Sequence, residues 1–361
     1  DRIKTLRRLN PQKSYGADVI SRIMHVNGNP DHRLGYDIRK VLAEEIEEIL
    51  ENPGISDKNE SDQRIFIEEI AVSGNTTMIY LLMDYDPQSL AVSPFETREN
   101  HMIEGRVDQL FCDCKRLKSA IDGQTKISIL PWISAYVGGD IVSGMYGTSL
   151  HDLKGNVLFV DIGTNGEIVF KTGNKVYAAA TAAGPAFEGG NITCGMGNVK
   201  GAIAEIDYNG TTFDYETING EPPVGICGSA IIDVVSILHR EGLVEDSGFM
   251  KEEVPIAGDI KIYPKDIRQI QLAKAAVMAG MQVLVKEAGM TMEDVDALYI
   301  AGGFGKHLSI PNGAAIGLIP KELVDKTEVV GNTSLSGAIR YMLEAKGKAD
   351  IDAIKDECSY I

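Results

Sequence analysis

Apolar positions along this chain follow two spacings, and the two alternate. Near the start, Val19, Ile20 and Ile23 share one helical face, with Asp18 placed at the helix start where a carboxylate favours the first turn. Ile38, Val41, Leu42, Ile46, Ile49 and Leu50 then recur at helical spacing among glutamates, which predicts a second helix stopped by Asn52-Pro53-Gly54. Helices of this kind cover a sheet. Ile65 to Val72 reads as a buried strand, and Ser73-Gly74-Asn75 turns it into a helix over Thr76 to Met83. Ile127 to Leu130 reads as a short strand, followed by Pro131, Gly138-Gly139-Asp140 and a small-residue helix. The polar stretch between, Asp84 to Gly123, gives only a loop-rich reading.

A second run starts at Gly155. Asn156 to Val160 is strand-forming, Asp161 to Gly166 reads as a turn, Glu167 to Phe170 resumes the strand, and Lys175 to Ala180 continues a meander. Helices are predicted over Gly228 to Arg240 and Ile267 to Ala288, the latter with Ile270, Ala273, Val277, Met281, Leu284 and Val285 on a broad apolar face. Strand Val295 to Ile300 ends in Ala301-Gly302-Gly303-Phe304-Gly305, and strand Glu328 to Val330 ends in Gly331-Asn332 and leads into a helix over Ser334 to Leu343. An internal repeat lies in this order. Ile70 to Asn75 and Ala135 to Asp140, each followed by a helix, answer Tyr299 to Gly303 and Val329 to Asn332; only the second copy owns a hairpin ahead of its helices.

Composition narrows the class. A chain of 361 residues, 44% hydrophobic, buries roughly 75% of its unfolded surface and divides into lobes or domains. No stretch reaches the ~20 consecutive apolar residues of a bilayer span, and Asp1 to Arg8 has no apolar core, so a cytoplasmic protein without a membrane or signal segment is expected. A net charge of -17 argues against nucleic acid as a partner. It leaves ATP open, because amides, helix ends and Mg²⁺ set the potential inside a pocket. The five cysteines, Cys112, Cys114, Cys194, Cys227 and Cys358, form no disulfide framework. The 38 glycines cluster at the ends of predicted strands, where the backbone turns sharply or approaches something closely.

The loops carry the candidate chemistry. In Asp161-Ile162-Gly163-Thr164-Asn165-Gly166-Glu167, a turn between two strands can aim backbone N–H groups and the Thr164 hydroxyl at phosphate oxygens while Asp161 holds Mg²⁺ directly or through water. An ordinary Asx-turn accounts for the same residues. Gly302, Gly303, Phe304 and Gly305 can admit a nucleotide to the main chain or serve a crowded strand-to-helix crossing. Gly228 and Ser229 open a helix, where Ser229 reads first as an N-cap and second as part of a phosphate or sugar site, and Cys227 reads as packed. Gly138-Gly139 and Gly331 to Ser334 are small enough for two helices to cross closely. Asp140 either joins Asp161 around Mg²⁺ and an attacking water or caps its own helix.

Taken in order, these loops resemble those of the acetate and sugar kinase/Hsp70/actin (ASKHA) superfamily. Asp161 to Glu167 matches its second phosphate motif, Val137 to Gly144 and Val329 to Ala338 its connecting motifs, and Ala301 to Gly305 its adenosine motif. Within it, Asn10-Pro11-Gln12, Tyr15 to Arg22, Ser73 to Thr77, Gly184-Pro185-Ala186-Phe187-Glu188-Gly189 and Asp161 to Glu167 are similar to reductive activators of corrinoid enzymes over nearly the whole chain. The resemblance implies an α/β fold of the ribonuclease H-like/actin-like ATPase kind, with two lobes around a nucleotide cleft: residues 1–150, lacking an initial β-hairpin, and 151–361 with the phosphate and adenosine motifs. It implies ATP and Mg²⁺ as ligands, with Asp140 and Asp161 catalytic and metal-binding, and with Gly163, Thr164, Asn165, Gly166, Glu167, Gly184, Pro185, Gly228, Ser229 and Gly302 to Gly305 on the nucleotide.

It further implies an activity: return of an inactive Co(II) corrinoid protein of a methyltransferase system to Co(I), with ATP coupled to uphill electron transfer. A homodimer is expected. The electrons would come from a 2Fe-2S cluster in an N-terminal domain absent from this chain, since no cysteine spacing here suits a ferredoxin site. Electron transfer, and hydrolysis coupled to corrinoid reduction, are therefore expected of a longer protein. Two other readings share the fold, a small-molecule kinase and a non-catalytic ATP-gated protein-binding module.

Overall fold

A computed structural model describes residues 5–6, 11–16, 18–29, 33–51, 67–98, 100–110, 121–303 and 307–361. The chain forms two compact units, Asp1–Ser143 with Ser334–Asp356 and Gly144–Thr333 with Glu357–Ile361. The division falls inside two helices, Gly139–Gly147 and Thr333–Leu343. Among the described residues no helix is long and apolar enough to cross a membrane.

The first unit is built on a sheet of β1 (Glu69–Val72), β2 (Ile103–Arg106) and β3 (Lys126–Ile129), in the order β1-β3-β2. β1 runs parallel to β3, with Ile70 opposite Ile127, and β2 runs antiparallel to it. β1 is half-buried rather than fully buried as its apolar run suggested. Among the described residues it is an edge strand, and Glu69 at its start pairs with Lys126 at 2.9 Å. β2 lies hidden in the stretch that reads as loop, because its inward positions are only Ile103 and Gly105 between exposed Glu104 and Arg106.

Helices pack against this sheet as the periodicity required. Val19–Gly28 is capped by Asp18, whose carboxylate accepts the Ser21 N–H at 2.8 Å. Ile23 and Val26 turn inward, and Ile20, one residue off that face, is exposed. The second helix spans Arg33–Glu51, five residues longer at its start than the apolar pattern indicated. Thr76–Leu82 is capped by Asn75, which accepts the Met78 N–H at 2.8 Å. The core joins Ile23, Leu34, Tyr80, Ile127 and Trp132, with Tyr80 and Trp132 edge to face at 6.0 Å. The returning segment 334–356 docks here too, the Tyr341 hydroxyl donating to Ser128 Oγ at 3.1 Å.

The second unit contains β4 (Asn156–Ile162), β5 (Gly166–Thr172), β6 (Lys175–Thr181), β7 (Ala202–Tyr208), β8 (Phe213–Thr217), β9 (Gly225–Ile226), β10 (Val254–Ala257), β11 (Ile260–Ile262), β12 (Ala297–Gly302), β13 (Thr327–Gly331) and β14 (Cys358–Tyr360). Its main sheet has the order β13-β12-β4-β5-β6-β14, with β4, β12 and β13 parallel and β4-β5-β6 an antiparallel meander. A smaller sheet, β8-β7-β9, and the pair β10-β11 stand apart from it. The helix Gly228–Arg240 has the bounds its pattern predicted. The long helix starts earlier than predicted, at Pro264, because Pro264 and the Tyr263 N-cap set its first turn. Ile270, Ala273, Val277, Met281, Leu284 and Val285 on that helix enter one core with Ile168 and Phe170.

Asp266 fixes the start of that helix. Its side chain is 1% exposed; Oδ2 accepts the Tyr263 N–H at 3.0 Å, and Oδ1 accepts the Thr193 N–H at 2.9 Å and the Thr193 hydroxyl at 2.8 Å. Both oxygens receive donors, so an amide would turn its NH₂ against one of them. Asp266→Asn is expected to lower stability by about 1–2 kcal/mol, read as a lower midpoint in chemical denaturation.

Candidate nucleotide site

The hairpin β4-β5 is the centre of the candidate site. β4 lies between β5 and β12, so Asp161 stands opposite Glu167 on one side and Ala301 on the other. The turn is shorter than the sequence suggested. Asp161 and Ile162 complete β4, Gly166 and Glu167 begin β5, and only Gly163, Thr164 and Asn165 remain as the loop. Continued ladder pairing down to Ile162 opposite Gly166 explains the difference. Within the loop the Gly163 N–H donates to the Asn165 carbonyl at 2.9 Å, so that amide serves the turn. Glu167 is buried and Asp161 half-buried.

The second glycine loop leaves the same end of the sheet. Gly302, the last residue of β12, pairs with Ile162 and has φ of +114°. A Cβ there would lie 2.5 Å from the Ile162 carbonyl oxygen and 2.9 Å from Asp161 Oδ1, so only glycine lets the two strand ends approach this closely. Gly303 has open space around its Cα. Phe304 and Gly305 lie outside the described residues. Two glycine loops thus converge at the carboxyl ends of adjacent parallel strands, a place where α/β sheets bind ligands.

Gly184 and Pro185 open a 3-10 turn, Pro185–Glu188, and the turn delivers a residue that carries no role in the sequence pattern. The Thr164 hydroxyl donates to Glu188 Oε2 at 2.9 Å. The partners stand 24 residues apart with two strands between them, a separation no local pattern reveals.

Gly228 and Ser229 stand differently from expectation. The N-cap of their helix is Cys227, and Ser229 lies inside the first turn with its Oγ 3.2 Å from Cys227 Sγ. Ser229 is therefore not the cap, because the helix already begins at Gly228. Cys227 is buried, as a packed thiol should be.

A second polar group has no signal in the sequence. Asn312 Nδ2 donates to Asp233 Oδ1 at 2.7 Å while its own Oδ1 accepts from Ser236 Oγ at 3.1 Å, tying the helix Ile310–Ala315 to Gly228–Arg240. Burial, with Glu205 and Asp207 adding to it, raises the Asp233 carboxyl above its usual range against the Asn312 hydrogen bond.

Asp140 belongs to the first unit. Its N–H donates to the Gly74 carbonyl at 3.2 Å and its Oδ1 accepts the Ile141 N–H at 3.0 Å, so the carboxylate does serve amides of its own helix. Burial nonetheless pushes its pKa from 3.8 to about 6, with the Ile141 and Asp140 amides working against the rise. A desolvated carboxylate whose partners are neutral amides is one that a cation would stabilise. Among the described residues no three His, Cys, Asp or Glu side chains converge as a metal cage.

Comparison with known proteins decides the family. Residues 155–361 match the family described as the C-terminal domain of RACo, the ASKHA domain, and residues 1–153 match the RACo middle region. The chain belongs to the RACo family. It is 31% identical to the corrinoid activation enzyme RamQ of Eubacterium limosum, over 96% of this chain and 61% of that protein. It is 26% identical to a Co(II) methylated amine-specific corrinoid protein reductase of Methanosarcina barkeri, over 79% of this chain and 57% of that one. Among solved structures, a reductive activator for corrinoid, iron-sulfur protein superposes with a TM-score of 0.83 at 33% identity, covering 98% of this chain and 58% of that chain. The α/β ASKHA fold expected from the loops is therefore the fold of this chain. The chain spans about three-fifths of the length of these relatives.

Proposed function

We propose that this chain is the nucleotide-binding and partner-engaging part of an ATP-dependent reductive activator, which returns a Co(II) corrinoid protein of a methyltransferase system to Co(I). The observation that carries the reading is the β4-β5 hairpin. Its Thr164 hydroxyl already bonds an anionic oxygen, and its Asp161 lies beside Gly302 at the mouth of the second glycine loop. The names of the relatives, each a corrinoid activator or reductase, supply the partner class.

The residues divide the work by chemistry. Gly163 to Gly166 shape a turn for the phosphates, and Thr164 donates to one phosphate oxygen. Gly302 and Gly303 let the nucleoside end approach the main chain. Asp161 is the hairpin carboxylate suited to Mg²⁺, and Asp140 is a desolvated carboxylate of the first unit that a cation would stabilise; Mg²⁺, when bound, neutralises charge on the terminal phosphates. Co(I) is a strong reductant, so moving one electron from a reduced 2Fe-2S centre outside these 361 residues to Co(II) runs uphill. ATP favours that step only through different affinities for two conformations of the activator, which is why a nucleotide site belongs to an electron-transfer protein. A cytoplasmic homodimer is part of this reading.

Calorimetric titration of the chain with MgATP, alone and in the presence of a corrinoid protein, tests it. MgATP is expected to bind and to change the affinity for the corrinoid protein. Asp161→Asn is expected to weaken MgATP binding about tenfold, ~1.4 kcal/mol, and to leave binding in EDTA unchanged. Absence of MgATP binding, or corrinoid-protein binding indifferent to nucleotide, would sink the reading.

A further inference from the structure

The nucleotide reading leaves Glu188 without a task, although it bonds the hydroxyl assigned to a phosphate. The segment that carries it is built to hold it there. Pro185 starts the turn, the Gly190 N–H closes back on the Pro185 carbonyl at 2.8 Å, and Gly189, at φ +81°, ends it. A Cβ on Gly189 would sit 2.4 Å from the Met196 nitrogen, so the backbone after Glu188 has one course. Glu188 itself is exposed, its Oε2 2.9 Å from Thr164 Oγ1 and its Oε1 3.5 Å from where a Gly163 Cβ would be. The carboxylate lies over the tip of the hairpin and faces water.

We propose that Glu188 orients the water that attacks the terminal phosphorus of ATP and takes its proton, an assignment that rests on the nucleotide reading above. One hydroxyl has one proton to donate. When Thr164 gives it to a phosphate oxygen, Glu188 becomes the second neighbour of the same hydroxyl. Glu188 Oε2 then loses its donor and moves off hydrogen-bond distance from the hydroxyl, and a water between it and the phosphate restores a donor to it. The other carboxylates of the hairpin are worse placed. Glu167 is buried, and Asp161 is turned toward Gly302 at the strand end.

The step balances without further reagents. The water oxygen forms a bond to the terminal phosphorus, the bond from that phosphorus to the β–γ bridging oxygen breaks, and ADP leaves. The water proton passes to a Glu188 oxygen and then to the released phosphate or solvent. A base within reach of its proton through hydrogen bonds, on a scaffold that otherwise only positions charge, is what phosphoryl transfer to water asks of a protein.

Glu188→Gln and Glu188→Asp on the full chain separate this assignment from a structural one. MgATP affinity by calorimetry and phosphate release in single turnover from about pH 5 to 9 are the readouts. The Gln variant is expected to bind MgATP at least as tightly as the unsubstituted chain and to release phosphate about a hundredfold more slowly. The acid limb of the pH profile, where a carboxylate base protonates, is expected to vanish in Gln and persist in Asp at an intermediate rate. Phosphate release by the Gln variant within threefold of the unsubstituted rate, with the same acid limb, overturns the assignment. So does an unsubstituted chain that binds MgATP and releases no phosphate. An unsubstituted chain that binds no MgATP overturns the nucleotide reading first.

Discussion

Gly337→Ala is expected to destabilise the first unit by about 3 kcal/mol or more, at the upper end of what overpacking one methyl group costs. A Cβ at Gly337 would lie 1.8 Å from the Ser143 carbonyl oxygen and 2.5 Å from both its carbonyl carbon and its Oγ. The nearest atoms are backbone, so no rotamer change relieves the overlap, and the two helices must separate. Separation also breaks the hydrogen bond from Ser143 Oγ to the Ser334 carbonyl, 2.7 Å and half-buried, and disturbs Ser73 Oγ, which lies 2.9 Å from Ser334 Oγ. Chemical denaturation followed by far-UV circular dichroism measures the loss. Gly28→Ala is the control: nothing lies within 4 Å of its added methyl, and it ends a helix. Equal midpoints for the Gly337 and Gly28 variants would show that the helices do not cross backbone to backbone.

That crossing was only partly placed by the sequence. Small residues signal a close approach of two helices, and they point to Gly138-Gly139 and to Gly331 to Ser334, of which Ser334 does lie at the crossing, its carbonyl accepting from Ser143 Oγ. Gly331 has open space around it, and Gly138 is pressed by Asn75 Cα, where a Cβ would come within 2.4 Å. The close contact falls further along the second helix, at Gly337. Composition says that small residues are available, and only the angle between two axes says which of them touches.

The main hairpin was legible for a different reason. β4 and β5 are central strands whose burial runs almost unbroken, so Val157 to Val160 and Ile168 to Phe170 announce themselves. β2 and β8, with exposed Glu104, Arg106, Asp214 and Glu216, carry too little apolar pattern to be told from loop. β14 is three residues long and owes its existence to the open edge of β6. Glycines at strand ends could be read because their spacing is local. The Thr164–Glu188 and Asp233–Asn312 pairs could not, because each depends on a return of the chain across 24 and 79 residues. Glycine-rich turns are thus visible from sequence, while side-chain pairs across them are a product of topology.

Asp140→Asn is expected to raise the stability of the nucleotide-free chain at neutral and higher pH. The carboxyl has a folded pKa of about 6 against 3.8 in its ordinary state, so the folded chain holds the proton more tightly than the unfolded one. Below about pH 4 both states are protonated and Asp140 carries no penalty. As pH rises through about 6 the folded state must ionise a desolvated group, and the stability present in acid is lost. The shift corresponds to about 3 kcal/mol at most, and partial solvent contact reduces it to about 1–2 kcal/mol. Asparagine keeps an oxygen for the Ile141 N–H and has nothing to ionise. Melting parent and variant across pH should therefore give equal stabilities near about pH 4, then a gap in favour of the Asp140→Asn variant that opens through about pH 6 and is flat above about pH 7. Saturating MgATP should reverse the order if Asp140 serves the cation, because the carboxylate then gains a partner that the amide cannot match. A variant that is less stable than its parent at about pH 8 without nucleotide would mean that the carboxylate is already compensated within the fold, and a gap unchanged by MgATP would remove Asp140 from the metal site.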